Sequence, residues 1–172
     1  MSATEDFVNQ CLDALREDQA ASAVKEIVER AVRDANLASE LSDQAGIRRL
    51  YHSDALTVAH AVIPKRGADA PPPVAHDHRM WAVIGMIAGS EDNEFFHRSA
   101  QTIVSSGGRL LVQGDVIALG KETIHAVKNP ARDRPSSALH VYGRDLKAAA
   151  RSMWCDPERV EQPYDFALVI EA

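Results

Sequence analysis

The sequence predicts a mostly β protein, an antiparallel sandwich or barrel, with α-helices at its N-terminus. Two observations lead to this fold class: the first third of the chain carries apolar residues at helical spacing, and from about residue 48 short β-rich runs alternate with turn residues. A length of 172 residues fits one domain. We therefore expect a single domain over residues 1–172, with a helical segment (about 1–45), a barrel (about 46–145) and a C-terminal segment (146–172).

The helical prediction rests on two amphipathic stretches. In "DFVNQCLDALRE" (6–17) and "SAVKEIVERAVRDA" (22–35), apolar residues recur every three or four positions and form one helical face. Ser22 has a side chain suited to cap the second helix at its N-terminus. We expect both helices to pack against the barrel rather than to carry a functional site.

The β prediction rests on short runs rich in β-branched, aliphatic and aromatic residues. They cover residues 56–64, 81–89, 93–99, 101–106, 109–119, 124–129 and 137–143. Short strands at this spacing, separated by turn residues, are typical of antiparallel sandwiches and barrels. After Tyr142 the pattern predicts helical or irregular structure, and "VEQPYDFALVIEA" (160–172) can add a last strand.

Composition and charge limit the partners that we expect. A hydrophobic share of 45% is typical of a globular chain, and a net charge of −6 argues against broad nucleic-acid binding, which needs a basic face. No apolar run reaches the roughly 20 residues needed to span a membrane, and "MSATEDFVNQ" is unlike a secretory signal. Cys11 and Cys155 lie far apart and make no disulfide framework. We expect a cytoplasmic protein without nucleic-acid or membrane partners, and a homo-oligomer is compatible with the sequence.

The first candidate site is a pair of histidines that flanks Asp77. His76 and His78 are two residues apart, so in a strand both side chains point to one face and Asp77 points to the other. Two neutral imidazoles placed in this way can chelate one metal ion. The alternative is chance spacing in a histidine-containing loop.

A second stretch, "GDVIALGKETIHAVKN" (114–129), favours the metal. Together with the histidine pair it resembles the paired motifs of the cupin superfamily, which folds as a double-stranded β-helix barrel. Gly114, His125 and Asn129 keep the spacing of the second cupin motif, whereas Gly120 and Glu122 replace its proline and second glycine. The resemblance implies a mostly β cupin barrel with the N-terminal helices packed outside.

The usual glutamate of the first cupin motif has no counterpart here. It would fall near Ala82 or Val83, and neither side chain can bind a metal. The resemblance therefore implies three neutral ligands, His76, His78 and His125, without a carboxylate. Three-histidine sites accept zinc, iron, copper or nickel, so the ligand type alone does not identify the metal.

A third stretch, "ALHVYG" (138–143), narrows the family. His140 and Tyr142 share one strand face, and the arrangement resembles the thiol dioxygenases, the group of cysteine dioxygenase and 3-mercaptopropionate dioxygenase. Those cupins bind Fe(II) through three histidines and carry a Ser-x-His-x-Tyr relay. Here Ala138 stands in the place of the relay serine, with Ser136 and Ser137 just upstream. The alternative for His140 and Tyr142 is an ordinary half-buried strand pair.

The branch most similar to this chain is the bacterial 3-mercaptopropionate dioxygenases, through residues 76–96 and 140–154. In that branch an arginine downstream of the relay tyrosine pairs with the substrate carboxylate, and Arg151 matches it. The corresponding arginine of cysteine dioxygenase falls at Ser53, and its crosslinking cysteine falls at Val83. Arg79, next to the histidine pair, is the rival carboxylate-binding residue.

The resemblance implies that Fe(II) and dioxygen oxidise a small carboxylate-bearing thiol to its sulfinate. The thiol is expected to be 3-mercaptopropionate or a similar acid, with cysteine as a second candidate, and a purified sample can carry zinc or nickel instead of iron. Two alternatives remain open at this point. One is a cupin dioxygenase with a different substrate, such as a diketone cleaved between carbons, and the other is a cupin that binds a metal or ligand without catalysis.

Overall fold

The computed structural model describes residues 1–68 and 70–166, in which three helices precede eleven strands. The helices are α1 (Ala3–Ala14), α2 (Ala20–Ala31) and α3 (Ala35–Glu40). The first strands are β1 (Gly46–His52), β2 (Thr57–Ile63), β3 (Ala75–Asp77), β4 (Ala82–Ala88), β5 (Ser90–Ser99) and β6 (Thr102–Val112). They are followed by β7 (Val116–Leu119), β8 (Ile124–Lys128), β9 (Ser136–Tyr142), β10 (Ser152–Trp154) and β11 (Glu161–Pro163).

The strands form two antiparallel sheets. The five-stranded sheet has the order β1-β2-β9-β4-β7, and the six-stranded sheet has the order β11-β10-β3-β8-β5-β6. The predicted fold class is confirmed: the protein is mostly β, with the strand arrangement of a double-stranded β-helix and the helices at its N-terminus. β5 and β6 are longer than the short runs predicted there, because they form one continuous hairpin.

The helices cover the outer face of the five-stranded sheet. Their apolar side chains form one buried cluster with Val83, Leu139 and Val141 of that sheet. α2 lies so close to β4 that a Cβ atom added at Gly85 would come within 2.7 Å of the Val32 side chain. A glycine is therefore required where this helix crosses the sheet.

The helix ends agree only in part with the sequence prediction. α1 begins with a capping box, in which the Ser2 hydroxyl accepts from the Glu5 backbone N–H and the Glu5 side chain accepts in return. The prediction that Ser22 caps the second helix is wrong. α2 begins at Ala20, with Gln19, three residues before Ser22, at the N-cap and without a side-chain cap.

After Tyr142 the chain is mostly irregular, with two three-residue strands, β10 and β11. β10 adds to the edge of β3, with Met153 opposite His76, and β11 adds to β10. The predicted last strand corresponds in part to β11, and its residues 167–172 lie outside the described residues. Among the described residues, none of the helices has the length and apolar character needed to cross a membrane.

Candidate metal centre

Strand pairing brings the three predicted histidines together on the inner face of the six-stranded sheet. β3 and β8 are antiparallel neighbours with His76 directly opposite His125, and His78 follows at the end of β3. One ring nitrogen of each residue lies within 4.8 Å of the other two. All three histidines are buried, so the group forms a compact set of three nitrogen ligands.

Hydrogen bonds fix two of these rings. His76 Nδ1 lies 3.1 Å from the Val74 carbonyl oxygen, and His125 Nδ1 lies 3.0 Å from Asn93 Oδ1. In each case Nδ1 is the donor and Nε2 is left with its lone pair, which is the arrangement that metal-binding histidines usually show. His125 Nε2 is buried and has no hydrogen-bond partner among the described residues.

Burial keeps the three imidazoles neutral. It lowers the pKa of His76 to about 4, and it lowers the pKa values of His78 and His125 well below the usual value, with the neighbouring histidines adding to the effect. Neutral imidazole is the form that binds a metal. Since no carboxylate belongs to the group, a divalent cation held there would keep its charge and attract an anionic ligand.

Asp77 points to the opposite side of β3 and anchors the strand from behind. Its buried carboxylate accepts the Ser152 backbone N–H at 2.8 Å and forms ion pairs with Arg79 at 2.7 Å and Arg98 at 3.1 Å. Burial nevertheless raises the pKa of Asp77, and its hydrogen bond and both arginines act against that rise. The carboxylate between the two histidines thus holds their strand in place.

Arg79, the rival candidate for carboxylate binding, belongs to the group of charged side chains around Asp77. Besides Asp77, its guanidinium contacts Glu161 and the Ser152 hydroxyl, each at 3.2 Å. Its side chain does not line the cavity that contains the histidines. The structure therefore does not bring Arg79 to the candidate metal centre.

Arg151, the other candidate, lines that cavity together with the three histidines. It is 9% exposed, and its guanidinium carbon lies 3.5 Å from the centre of the Tyr164 ring. Among the described residues, no carboxylate lies within ion-pair distance of Arg151, and its Nε has no hydrogen-bond partner. A buried cation without a counter-charge is a suitable site for an anionic group of a ligand.

The inner face of β9 carries His140 and Tyr142. His140 Nδ1 lies 3.0 Å from the Tyr142 hydroxyl, and the Tyr142 ring lies 5.0 Å from the His78 ring, measured between centroids. Burial lowers the pKa of His140 to about 4 and raises the pKa of Tyr142. The pair is therefore a neutral imidazole and a neutral phenol next to the metal ligands.

The outer end of this pair lacks a partner. His140 Nε2 is buried without a hydrogen bond among the described residues, and Ala138 occupies the next inward position of β9. Neither upstream serine replaces the missing hydroxyl. The Ser137 hydroxyl lies 2.7 Å from His60 Nε2, and the Ser136 hydroxyl donates to Glu91 Oε1 at 2.9 Å.

Three residues of the site were not identified from the sequence: Asn93, Glu91 and Tyr164. Glu91 and Tyr164 line the same cavity as the histidines, and Asn93 orients His125. Glu91 is buried, which raises its pKa to about 7, and the hydrogen bond from Ser136 opposes the rise. The alternation in "SEDNEFF" places Glu91 and Asn93 on one face of β5, but the sequence does not show which face is inward.

The cavity has a volume of about 270 Å³ and lies between the two sheets. Its lining draws on residues from Ala45, just before β1, to Phe166. The three candidate metal ligands come from the six-stranded sheet, and the His140–Tyr142 pair comes from the five-stranded sheet. A concave pocket that combines an apolar wall with a group of convergent polar side chains is typical of small-molecule sites.

Comparison with known proteins adds little beyond the fold. No family model matches the chain. Similar solved structures include an RmlC-like cupin family protein with a double-stranded β-helix fold from Methanocaldococcus jannaschii, with 13% identity over 62% of this chain and 85% of the other and a TM-score of 0.47. The DMSP lyase DddQ from Ruegeria pomeroyi DSS-3 has 21% identity over 69% of this chain and 56% of that chain, with a TM-score of 0.46.

A third similar structure is the oxalate decarboxylase from Lactobacillus farciminis in its formate complex. It has 12% identity over 62% of this chain and 32% of that chain, with a TM-score of 0.45. Similarities this distant carry no inference about metal, ligand or reaction. The function is therefore argued from the site itself.

Proposed function

We propose that the protein is a non-haem Fe(II) enzyme that oxidises a small carboxylate-bearing thiol to its sulfinate with dioxygen. The observation that carries the proposal is the combination, in one cavity, of three neutral histidines, the His140–Tyr142 pair and Arg151, which has no carboxylate partner among the described residues. A thiolate and a carboxylate are two anionic groups, and the cavity offers one positively charged position for each.

The metal is held by His76, His78 and His125. The fit rests on the neutral state of the rings and on the buried, unpartnered Nε2 of His125. When bound, the iron supplies positions for the thiolate and for dioxygen and makes the electron transfer between them feasible. Histidine ligands also accept zinc or nickel, so the metal found after purification does not by itself identify the working metal.

Arg151 binds the substrate carboxylate. A guanidinium can form two parallel hydrogen bonds to a carboxylate, and the Tyr164 ring below it limits its orientations. Burial strengthens this ion pair because water does not compete for either charge. The carboxylate is thereby fixed beside Arg151, and the thiol is directed toward the three histidines.

Tyr142 holds a proton at its hydroxyl close to the reacting atoms. Because burial raises its pKa, the phenol stays neutral and can donate a hydrogen bond to the sulfur or to an oxygen atom. His140 orients this hydroxyl through the 3.0 Å contact at Nδ1. The reaction itself is balanced: both atoms of dioxygen bond to sulfur, sulfur loses four electrons, and dioxygen gains four.

The test is oxygen uptake by protein reconstituted with Fe(II), measured with 3-mercaptopropionate, L-cysteine, cysteamine and 2,4-pentanedione. We expect uptake and a sulfinate product, identified by mass spectrometry, with 3-mercaptopropionate above cysteine and cysteamine lowest because it lacks a carboxylate. Uptake with the diketone alone would establish the diketone-cleaving alternative. Stoichiometric iron without uptake on any compound would favour a binding protein.

A further inference from the structure

The cavity extends well beyond the groups that bind the metal and the carboxylate. Its volume is about 270 Å³. A three-carbon thiol acid that reaches from the histidines to Arg151 leaves much of this space unfilled. The chemistry of the remaining wall therefore indicates what else a substrate carries.

That wall is apolar where β1 and β2 form it. Ile47 lies directly opposite Ala61, and Ala61 lies directly opposite Ala138, so the three side chains share the inner face. Ala61 is buried and small and lines the cavity, which leaves a hollow between the sheets at this point. On the other side the hollow is bounded by Pro73, Val74 and Val127. We call this part of the cavity the apolar arm.

The apolar arm opens at a rim that is also apolar. Ile47 is 40% exposed and Phe166 is 38% exposed, although both line the cavity. Apolar side chains left exposed at the rim of a pocket favour a ligand that covers them with an apolar group. A substrate with an apolar group that reaches the rim would remove part of this surface from water.

Glu91 is the one acidic side chain among the described residues of the lining. Its carboxyl is buried and accepts a hydrogen bond from Ser136, with no cation within ion-pair distance among those residues. A second carboxylate on the substrate would find no cation to pair with beside Glu91 among the described residues, and burying an unpaired charge there is unfavourable. This part of the cavity therefore selects against a second anionic group.

We infer that the preferred substrate is a thiol acid whose carbon chain carries an apolar substituent, which lies in the apolar arm while the carboxylate binds Arg151. This inference rests on the proposed thiol dioxygenase function and specifies its substrate class. The thiol lies toward the histidines, and the substituent extends along β2 toward Ile47. Three added methylene groups should raise kcat/KM at least about tenfold, given the usual gain for burying each group.

The experiment compares 3-mercaptopropionate with 3-mercaptohexanoate, using the iron-loaded protein and measuring oxygen uptake and sulfinate formation. We expect the longer acid to have the higher kcat/KM by about tenfold or more. Ala61→Phe, which fills the arm, should lower kcat/KM for the longer acid at least about tenfold more than for the shorter one. Ile47→Trp at the rim should act in the same direction, and it covers the case in which the buried variant does not fold.

Val104→Trp is the matched control, because Val104 is exposed on β6 and lies outside the cavity lining. It should leave the ratio of the two substrates unchanged. If 3-mercaptopropionate is oxidised but the longer acid is no better, or if Ala61→Phe and Ile47→Trp reduce both substrates equally, the apolar-arm inference is wrong and the proposed function stands. If neither thiol supports oxygen uptake, the proposed function is wrong and the inference falls with it.

Discussion

The two sheets contribute to the cavity in different ways. On the six-stranded sheet, the metal-binding face is supported by further groups: Asn93 and the Val74 carbonyl fix the rings, and Asp77 anchors the strand from behind. On the five-stranded sheet, the His140–Tyr142 pair has one internal hydrogen bond, and Nε2 of His140 has no partner in the part of the chain that the structure describes. The comparison indicates that hydrogen bonds from neighbouring residues fix the rings of the candidate metal ligands. The His140 ring is fixed only through its contact with Tyr142.

The largest effect is expected from removing a ligand on the six-stranded sheet. Replacing His76, His78 or His125 by alanine should remove most of the iron and the oxygen uptake, because two nitrogens hold a divalent ion much more weakly than three. Iron per chain and circular dichroism should be measured together, since the fold is expected to persist. The control is His97→Ala, which removes an exposed histidine of β5. Full iron content in all three ligand variants would refute the assignment.

Arg151→Ala should have the next largest effect. Loss of a buried charge that pairs with the substrate carboxylate costs on the order of 2 to 5 kcal/mol of transition-state binding, which is measured as kcat/KM for 3-mercaptopropionate. Arg79→Ala is the matched control, because Arg79 pairs with Asp77 and Glu161 instead. The opposite pattern, a large loss for Arg79→Ala and none for Arg151→Ala, would transfer carboxylate binding to Arg79.

The choice between these two arginines shows where sequence reasoning reaches its limit. Strand alternation was enough to predict an antiparallel sandwich or barrel, and the resemblance to the paired cupin motifs implied the grouping of the three histidines. The sequence did not settle whether Arg79 or Arg151 faces the histidines, because this depends on contacts between residues distant in the chain, such as Asp77 and Ser152, which are 75 residues apart. Asn93, Glu91 and Tyr164 were missed for the same reason: their roles follow from strand register and not from neighbours in the chain.

Glu91 connects the two sheets through its hydrogen bond to Ser136, and it should make stability depend on pH. Its pKa is raised from 4.5 to about 7 in the folded protein. Between these values the unfolded chain loses the proton while the folded protein keeps it, so the free energy of unfolding falls as pH rises through this window. The loss is at most about 3 kcal/mol and persists above pH 7.

Glu91→Gln removes this titration. Urea unfolding at pH 5 and pH 8 should show that the variant gains stability relative to wild type as pH rises. Glu94→Gln, a change of the same type on the same strand, should run parallel to wild type. Parallel curves for Glu91→Gln would mean that the Glu91 carboxyl is not held in the environment described here.

Asn93→Ala tests whether the support behind the metal-binding face matters. Without the Asn93 side-chain oxygen, the His125 ring loses the acceptor at Nδ1 and can rotate or change tautomer. Changes of this kind typically weaken metal affinity about 10- to 100-fold. Iron affinity should be measured by competition with a chelator, and Asn93→Asp, which keeps an acceptor oxygen, should retain more affinity than Asn93→Ala. Equal affinity in wild type and Asn93→Ala would show that the ring is held without this bond.

The smallest effect is expected on the five-stranded sheet, where the relay lacks its outer partner. Tyr142→Phe should reduce kcat without releasing iron, because the hydroxyl is close to the ligands but does not belong to them.

Ala138→Ser places a hydroxyl at the next inward position of β9, where it can form a hydrogen bond with Nε2 of His140. One neutral hydrogen bond contributes about 0.5 to 1.5 kcal/mol. Ala138→Ser should therefore be neutral or raise kcat by up to roughly tenfold, and the gain should vanish in the double variant with Tyr142→Phe.

If Tyr142→Phe turns over as fast as wild type with the same iron content, the His140–Tyr142 pair only fills space in the cavity. In that case the difference between the sheets would reflect packing, with no contribution to catalysis.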